Sequence, residues 1–129
     1  MGSGKQFKID GTGYFNAIGT KEKPILMQGT VLGTPSWNSL FIKTQNPLNK
    51  MDFCTISEAG VGTIFSSGCN GKASIGLYYW SGTISSLNIT NSMIKNGGGC
   101  GIFTDTKNVS NLKQTANSFT NLAGANVCN

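Results

Sequence analysis

LNITNSMIKNGGGCG, Leu87 to Gly101, decides the fold because the chain repeats it: twenty-five residues on comes LKQTANSFTNLAG, Leu112 to Gly124. Asn91-Ser92-Met93 answers Asn117-Ser118-Phe119, and Gly101-Ile102-Phe103 echoes Gly76-Leu77-Tyr78. An earlier copy reads Cys54-Thr55-Ile56-Ser57-Glu58-Ala59-Gly60. The shared template is a polar residue, Ser or Thr, a large apolar residue, two or three more residues, then Gly. A period in this range marks a solenoid, in which each turn buries its apolar side only by stacking on its neighbours.

Composition points the same way. The 129 residues make one domain, long enough to bury a core. Charged residues are only 12% of the chain, while Gly, Ser, Thr and Asn are abundant. That balance suits short strands joined by turns and disfavours long helices. No window reaches the roughly 18 consecutive apolar residues of a membrane span. Ten lysines stand against five acids, with no Arg and no His. Arg is the side chain of choice for bidentate recognition of phosphate and base edges, so its absence argues against nucleic acid. The lysines are scattered, as on a solvated surface. Residues 1–6, beginning Met1-Gly2-Ser3-Gly4-Lys5, read as a tag remnant or disordered start, with no signal peptide in this chain, and residues 7–129 as the folded domain.

In chain order, Phe7–Asp10 alternates as a strand. Pro24 opens a second at Ile25–Gln28, and Trp37–Lys43 reads as a third, with Leu40 and Ile42 on one face. Met51–Ile56 and Ile75–Trp80 follow. Ile56 to Met93 is 37 residues and Met93 to Phe119 is 26, so an inserted loop is expected near residues 60–73. Ile56, Leu77, Leu87, Met93, Ile102, Leu112 and Phe119 are the expected inward ladder. Cys54, Cys69, Cys100 and Cys128 lack metal spacing, and no His completes a site. Two disulfides, Cys54–Cys69 and Cys100–Cys128, are one reading; buried free thiols are the other. No metal or cofactor is expected.

The run Gly13-Tyr14-Phe15-Asn16-Ala17-Ile18-Gly19-Thr20, then Lys23-Pro24-Ile25, Trp37, and Phe53-Cys54-Thr55-Ile56-Ser57-Glu58-Ala59-Gly60 resembles bacterial right-handed parallel β-helix proteins of the pectin-lyase-like type. The resemblance covers most of residues 7 to 129. It implies an all-β, single-stranded right-handed parallel β-helix, of a kind often exported, periplasmic or surface-associated and often without assigned activity. A period near 25 residues gives about five coils and one loop insertion. The ends of such a stack expose unpaired strand edges, so self-association through them is expected.

Chemistry is sparse. Without His, no Ser-His-Asp or Cys-His arrangement exists. A polysaccharide lyase or glycoside hydrolase would need converging carboxylates, for which Asp52, Glu58 and Asp105 are the candidates. Asn96-Gly97-Gly98-Gly99 lacks the Lys-Ser/Thr of a phosphate loop and reads as a sharp corner. In Leu77-Tyr78-Tyr79-Trp80, an inward Leu77 sends Tyr78 and Trp80 outward. With Trp37 they form the expected ligand face, since flat rings beside amides and lysines suit sugars. The alternative is that these rings pack beneath the inserted loop. The chain thus reads as a non-catalytic module of the cell exterior, structural or binding a glycan or another cell-surface macromolecule.

Overall fold

The computed structural model describes residues 1–64, 69–80, 82–104 and 111–129, apart from the side chains of Cys69, Tyr79, Trp80 and Thr83. Three short strands come first, β1 (Gln6–Ile9), β2 (Asn16–Ile18) and β3 (Ile25–Met27), followed by β4 (Ser39–Ile42), β5 (Lys50–Asp52) and β6 (Cys54–Ser57). After a short 3-10 turn at Cys69–Gly71 come β7 (Ala73–Leu77), the hairpin strands β8 (Tyr79–Trp80) and β9 (Thr83–Ile84), then β10 (Leu87–Thr90) and β11 (Met93–Gly97). The strands β12 (Cys100–Thr104), β13 (Leu112–Thr115), β14 (Ser118–Leu122) and β15 (Val127–Cys128) complete the chain. No α-helix occurs among the described residues.

These strands distribute into three sheets. Sheet A runs β1-β4-β7-β12-β15, sheet B β2-β5-β10-β13, and sheet C β3-β6-β11-β14. Every pairing in them is parallel. Among the described residues, only the β8–β9 hairpin is antiparallel. The protein is all-β, with parallel strands stacked in three sheets, an arrangement compatible with a β-helix solenoid. A parallel partner cannot be reached by a tight turn, so each strand finds its mate only after the chain has travelled through the other two sheets.

Alternation along each strand then builds columns of like side chains. In sheet A, Leu40, Ile75, Ile102 and Val127 stand in register. In sheet B the inward column is Ala17, Met51, Ile89 and Gln114. Sheet C contributes Met27, Ile56, Ile94 and Phe119. The interior members of these columns are fully or almost fully buried and form one core with Trp37, Ile42, Leu77 and Leu87. Burying a side chain of this size contributes about 1.5–3 kcal/mol. Leu112 and Phe119 are only half-buried because β13 and β14 are the last strands of their sheets.

One expected ladder position is wrong. Met93 lies opposite Thr55 and Ser118 and is 38% exposed, while Ile94 lies opposite Ile56 and Phe119 and is fully buried. The repeat in this sheet is 25 residues, not 26, and a shift of one residue reverses every side chain. The alignment of Gly101 with Gly76 is off by two, since Phe103 faces Gly76 and Ile102 faces Ile75. An even slip keeps the face, so Ile102 and Leu77 are inward as expected.

The corners are made by backbone in the left-handed region. Phe53, Asn91 and Ala116 (φ 48°, 46° and 56°) occupy the same corner between sheets B and C in successive strand pairs. Glu58, Asn96 and Asn121 (φ 58°, 53° and 52°) do so toward the far end of sheet C. A side chain in this region costs roughly 1–2 kcal/mol, least for Asn. The left-handed residue Phe53 also splits the expected strand Met51–Ile56 into β5 and β6. At the Asn96–Gly99 corner the turns stack backbone on backbone, and a Cβ on Gly98 would sit 2.5 Å from the Gly60 carbonyl oxygen.

The inserted segment lies where expected. Its described residues cross the outer face of sheet A, with Gly60 N–H donating to Asn38 O (2.6 Å), Val61 N–H to Trp37 O (3.2 Å) and Ile64 N–H to Gly71 O (2.8 Å). Ile64 there joins a second apolar cluster with Ala73, Phe103, Cys100 and Cys128. Cys100 and Cys128 form a disulfide across 28 residues, tying β15 to β12. A loop of that length stabilises by about 3–4 kcal/mol through the unfolded chain. The other expected bridge is corrected: Cys54 is free and buried, its thiol pointing into the core and donating to Ala17 O (3.3 Å). Burial pushes that thiol up, away from reactivity. The Cys69 side chain lies outside the described residues.

Ile94→Ala is expected to cost about 2–4 kcal/mol and Met93→Ala less than about 1 kcal/mol, measured by denaturant unfolding. Equal losses would place the register at the 26-residue spacing instead.

Candidate functional site

Carboxylates were the first candidates for chemistry, and the structure keeps them apart. Glu58 is only 2% exposed at the end of β6. Its Oε1 accepts from Asn96 Nδ2 (3.0 Å) and Gly33 N–H (3.1 Å), and its Oε2 from the Ser57 hydroxyl and from Gly29 N–H (3.4 Å). Its backbone carbonyl accepts from Ser36 and Trp37 N–H (2.7 and 3.3 Å). Glu58 is therefore the buckle that holds the Gly29–Ser36 segment to the body. Asn121 Nδ2 in turn donates to Asn96 Oδ1 (2.8 Å), extending the chain of bonds along the stack. Burial alone would push the Glu58 carboxyl up, but hydrogen bonds from Ser57, Asn96, Gly33 and Gly29 outweigh it and hold the group below its ordinary value.

Asp52 ends β5 in sheet B, separated from Glu58 by the Phe53 corner and the whole of β6 in sheet C. Its Oδ1 accepts from Thr90 Oγ1 and Asn91 Nδ2, both at 2.8 Å, and these bonds lower its pKa. Asp52 and Glu58 share no partner among the described residues, and a whole strand stands between them, whereas a glycosidase pair must converge on one bond. Asp105 lies outside the described residues. Asp10 is paired with Lys8 (2.8 Å) and Lys43 (3.9 Å). Among the described residues no three His, Cys, Asp or Glu side chains gather as a metal site.

Trp37 does not join the expected aromatic face. Trp37 is 0% exposed, a core residue whose indole N–H donates to Ser57 O (2.8 Å), so it is withdrawn from the ligand surface. It sits just before β4, where strict alternation has not yet begun, and the corner turns its ring inward. Tyr78 is outward but half-buried, its ring 5.3 Å from that of Phe41 with Lys43 Nζ 5.7 Å above it. The Trp80 side chain lies outside the described residues.

A different surface is open. The outward column of sheet B reads Asn16, Lys50, Asn88 and Lys113 in strict register. Around it lies a solvent-open cleft of about 420 Å³, lined also by Gln45, Pro47, Asn49, Ser86, Leu87 and Asn111. Its wall is stitched to the body: Ser86 N–H donates to Thr44 O (3.0 Å), the Ser86 hydroxyl to Asn46 O (3.0 Å), and Asn49 Nδ2 to Thr44 O (3.0 Å). No carboxylate lines it among the described residues. The sequence hid this cleft because Lys50, Asn88 and Lys113 are far apart in the chain, and only the register brings them together.

Compared with known proteins, the chain matches no family model, no curated protein and no solved structure.

Because the folded pKa of Glu58 is depressed, its contribution to stability is complete above the ordinary value of 4.5 and is lost as pH falls through the folded value. Glu58→Gln is expected to be less stable than wild type by about 1–3 kcal/mol at neutral pH, with the gap narrowing in acid. Urea unfolding at a series of pH values checks this, and a gap independent of pH would refute it.

Proposed function

We propose that this chain is a right-handed parallel β-helix of about five coils that works outside the cytoplasm or at a bacterial cell surface. In this reading it is a non-catalytic module, structural and glycan-binding, related to pectin-lyase-like proteins of the same architecture. The observation that carries it is the state of the acids. Asp10, Asp52 and Glu58 are each committed to partners within the protein, and Asp52 on β5 and Glu58 after β6 belong to different sheets. General acid–base work on a polysaccharide needs a carboxyl free to exchange its proton with substrate, and Glu58 has four donors holding it. A disulfide between Cys100 and Cys128 agrees with an oxidising compartment.

Incubation with acidic and neutral polysaccharides is expected to yield no new reducing ends and no unsaturated products, while pull-down on the same polymers retains the protein. Turnover that Asp52→Asn abolishes would overturn the non-catalytic reading.

Self-association is the second part of this reading, favoured by the apolar end formed by the first strands. Phe7 there is 44% exposed, and a cavity of about 280 Å³ opens between Phe7, Phe15, Ala17, Ile25 and Met27. The outer edges of β1, β2 and β3 carry no partner strand among the described residues. A second copy laid on this end would pair those edges and close the cavity. Light scattering is expected to show mass rising with protein concentration for wild type, and a lower mass for Phe7→Lys with its melting checked separately. A wild-type monomer at every concentration would overturn the assembly.

A further inference from the structure

We infer that the sheet B cleft is a binding site for an acidic glycan in which charged and neutral sugars alternate. The inference rests on the reading of the chain as a glycan-binding module and adds the place and the ligand class.

Lys50, Asn88 and Lys113 occupy the same outward position on three consecutive strands, β5, β10 and β13. Parallel strands lie about 4.8 Å apart, so the two ammonium stems rise from backbone positions about 10 Å apart, with an amide between them. All three residues are exposed. Neither lysine forms an ion pair among the described residues, in contrast to Lys8 and Lys43, which share Asp10. The column therefore presents cation, neutral donor–acceptor, cation along the stacking axis. A linear polymer carrying an anion on every second unit meets that order, with Asn88 left to bond a hydroxyl or amide of the intervening sugar.

The rest of the cleft has the same character. Gln45 adds an exposed amide at the rim, and Asn111 also lines the cleft, held there by its Nδ2 donating to Ile84 O (3.1 Å). Amides and hydroxyls bond sugars well, since each can both donate and accept. Nucleic acid fits poorly, because no aromatic ring or Arg lines the cleft to stack a base. An extended peptide cannot add as a strand to β5 or β10, whose backbone bonds are already used in the sheet on both sides. The platform is rigid, because the β10 register is fixed by Asn88 N–H donating to Asn49 O (3.0 Å).

The test is retention and affinity on immobilised hyaluronan, which alternates a uronate with a neutral amino sugar. Polygalacturonate, neutral dextran and duplex DNA serve as the other arms. Wild type is expected to bind hyaluronan most tightly, more weakly as salt rises, with Lys50→Ala and Lys113→Ala each lowering affinity about threefold to tenfold. Asn88→Ala is expected to lower it without changing the salt dependence. Thermal melting of each variant establishes that it is folded. Wild-type binding to hyaluronan that both lysine variants retain in full would overturn this site and leave the glycan-binding reading standing. Equal or tighter binding to DNA, or to dextran, would overturn the ligand class. No binding to any of the glycans would overturn the glycan-binding reading and this inference with it.

Discussion

The fold depends on one constraint: a parallel strand cannot be satisfied by its neighbour in sequence. Among the described strands only β8 and β9 pair locally. Every other strand leaves its N–H and C=O groups open until the chain has passed through the other two sheets. The stack is thus held by contacts of long sequence separation, and its stability is approximately a sum over neighbouring layers. The strands are only two to five residues long, so no single one anchors its layer. What keeps them aligned is the column: like on like at each inward position, and corners that turn at the same place in every layer.

The corners carry the cost of this design. Among the described residues, six of the seven non-glycine residues with positive φ fall in two columns, Phe53-Asn91-Ala116 and Glu58-Asn96-Asn121. Asn suits such a position, and its amide also bonds along the axis, as Asn121 does to Asn96. Where the column is not Asn, something else compensates. Glu58 meets the same conformation by burying its carboxylate against four donors, two of them backbone N–H groups of the segment it fastens. That segment can approach because position 29 is Gly, where an added Cβ would lie 2.8 Å from Glu58 Cβ. An acid that looked like a candidate for chemistry is here a fastener.

Much of the architecture was legible from composition and period, and what was not has a physical reason. The repeat announced stacked strands, and Ile56, Leu77, Leu87 and Ile102 are inward as the template implies. Matching Asn91 to Asn117 was attractive because identical residues align, yet Ser92 N–H bonds Asn117 Oδ1, placing Asn117 beneath Ser92. Here a polar residue moves one place between layers while the apolar column stays, so side-chain volume in the core is the safer guide to register. Trp37 misled for a related reason: its composition resembles a sugar-binding ring, but a corner just before a strand is where alternation gives no direction. The Cys54–Cys69 pairing failed because Cys54 belongs to an inward column and not to the surface.

The same reasoning explains why the site could not be read from the sequence. A solenoid makes a surface by translation, so a functional row consists of single residues taken from successive layers and separated by whole repeats. Lys50 and Lys113 look like isolated solvated charges in the sequence, and the scatter of lysines reads as the absence of a patch. Register converts them into a row with Asn88 at its centre. Conversely, residues close in the chain, such as Asp52 and Glu58, are divided between two sheets and share no partner. In this fold, spacing that equals the repeat is the signal of a shared site, and closeness in sequence is evidence against one.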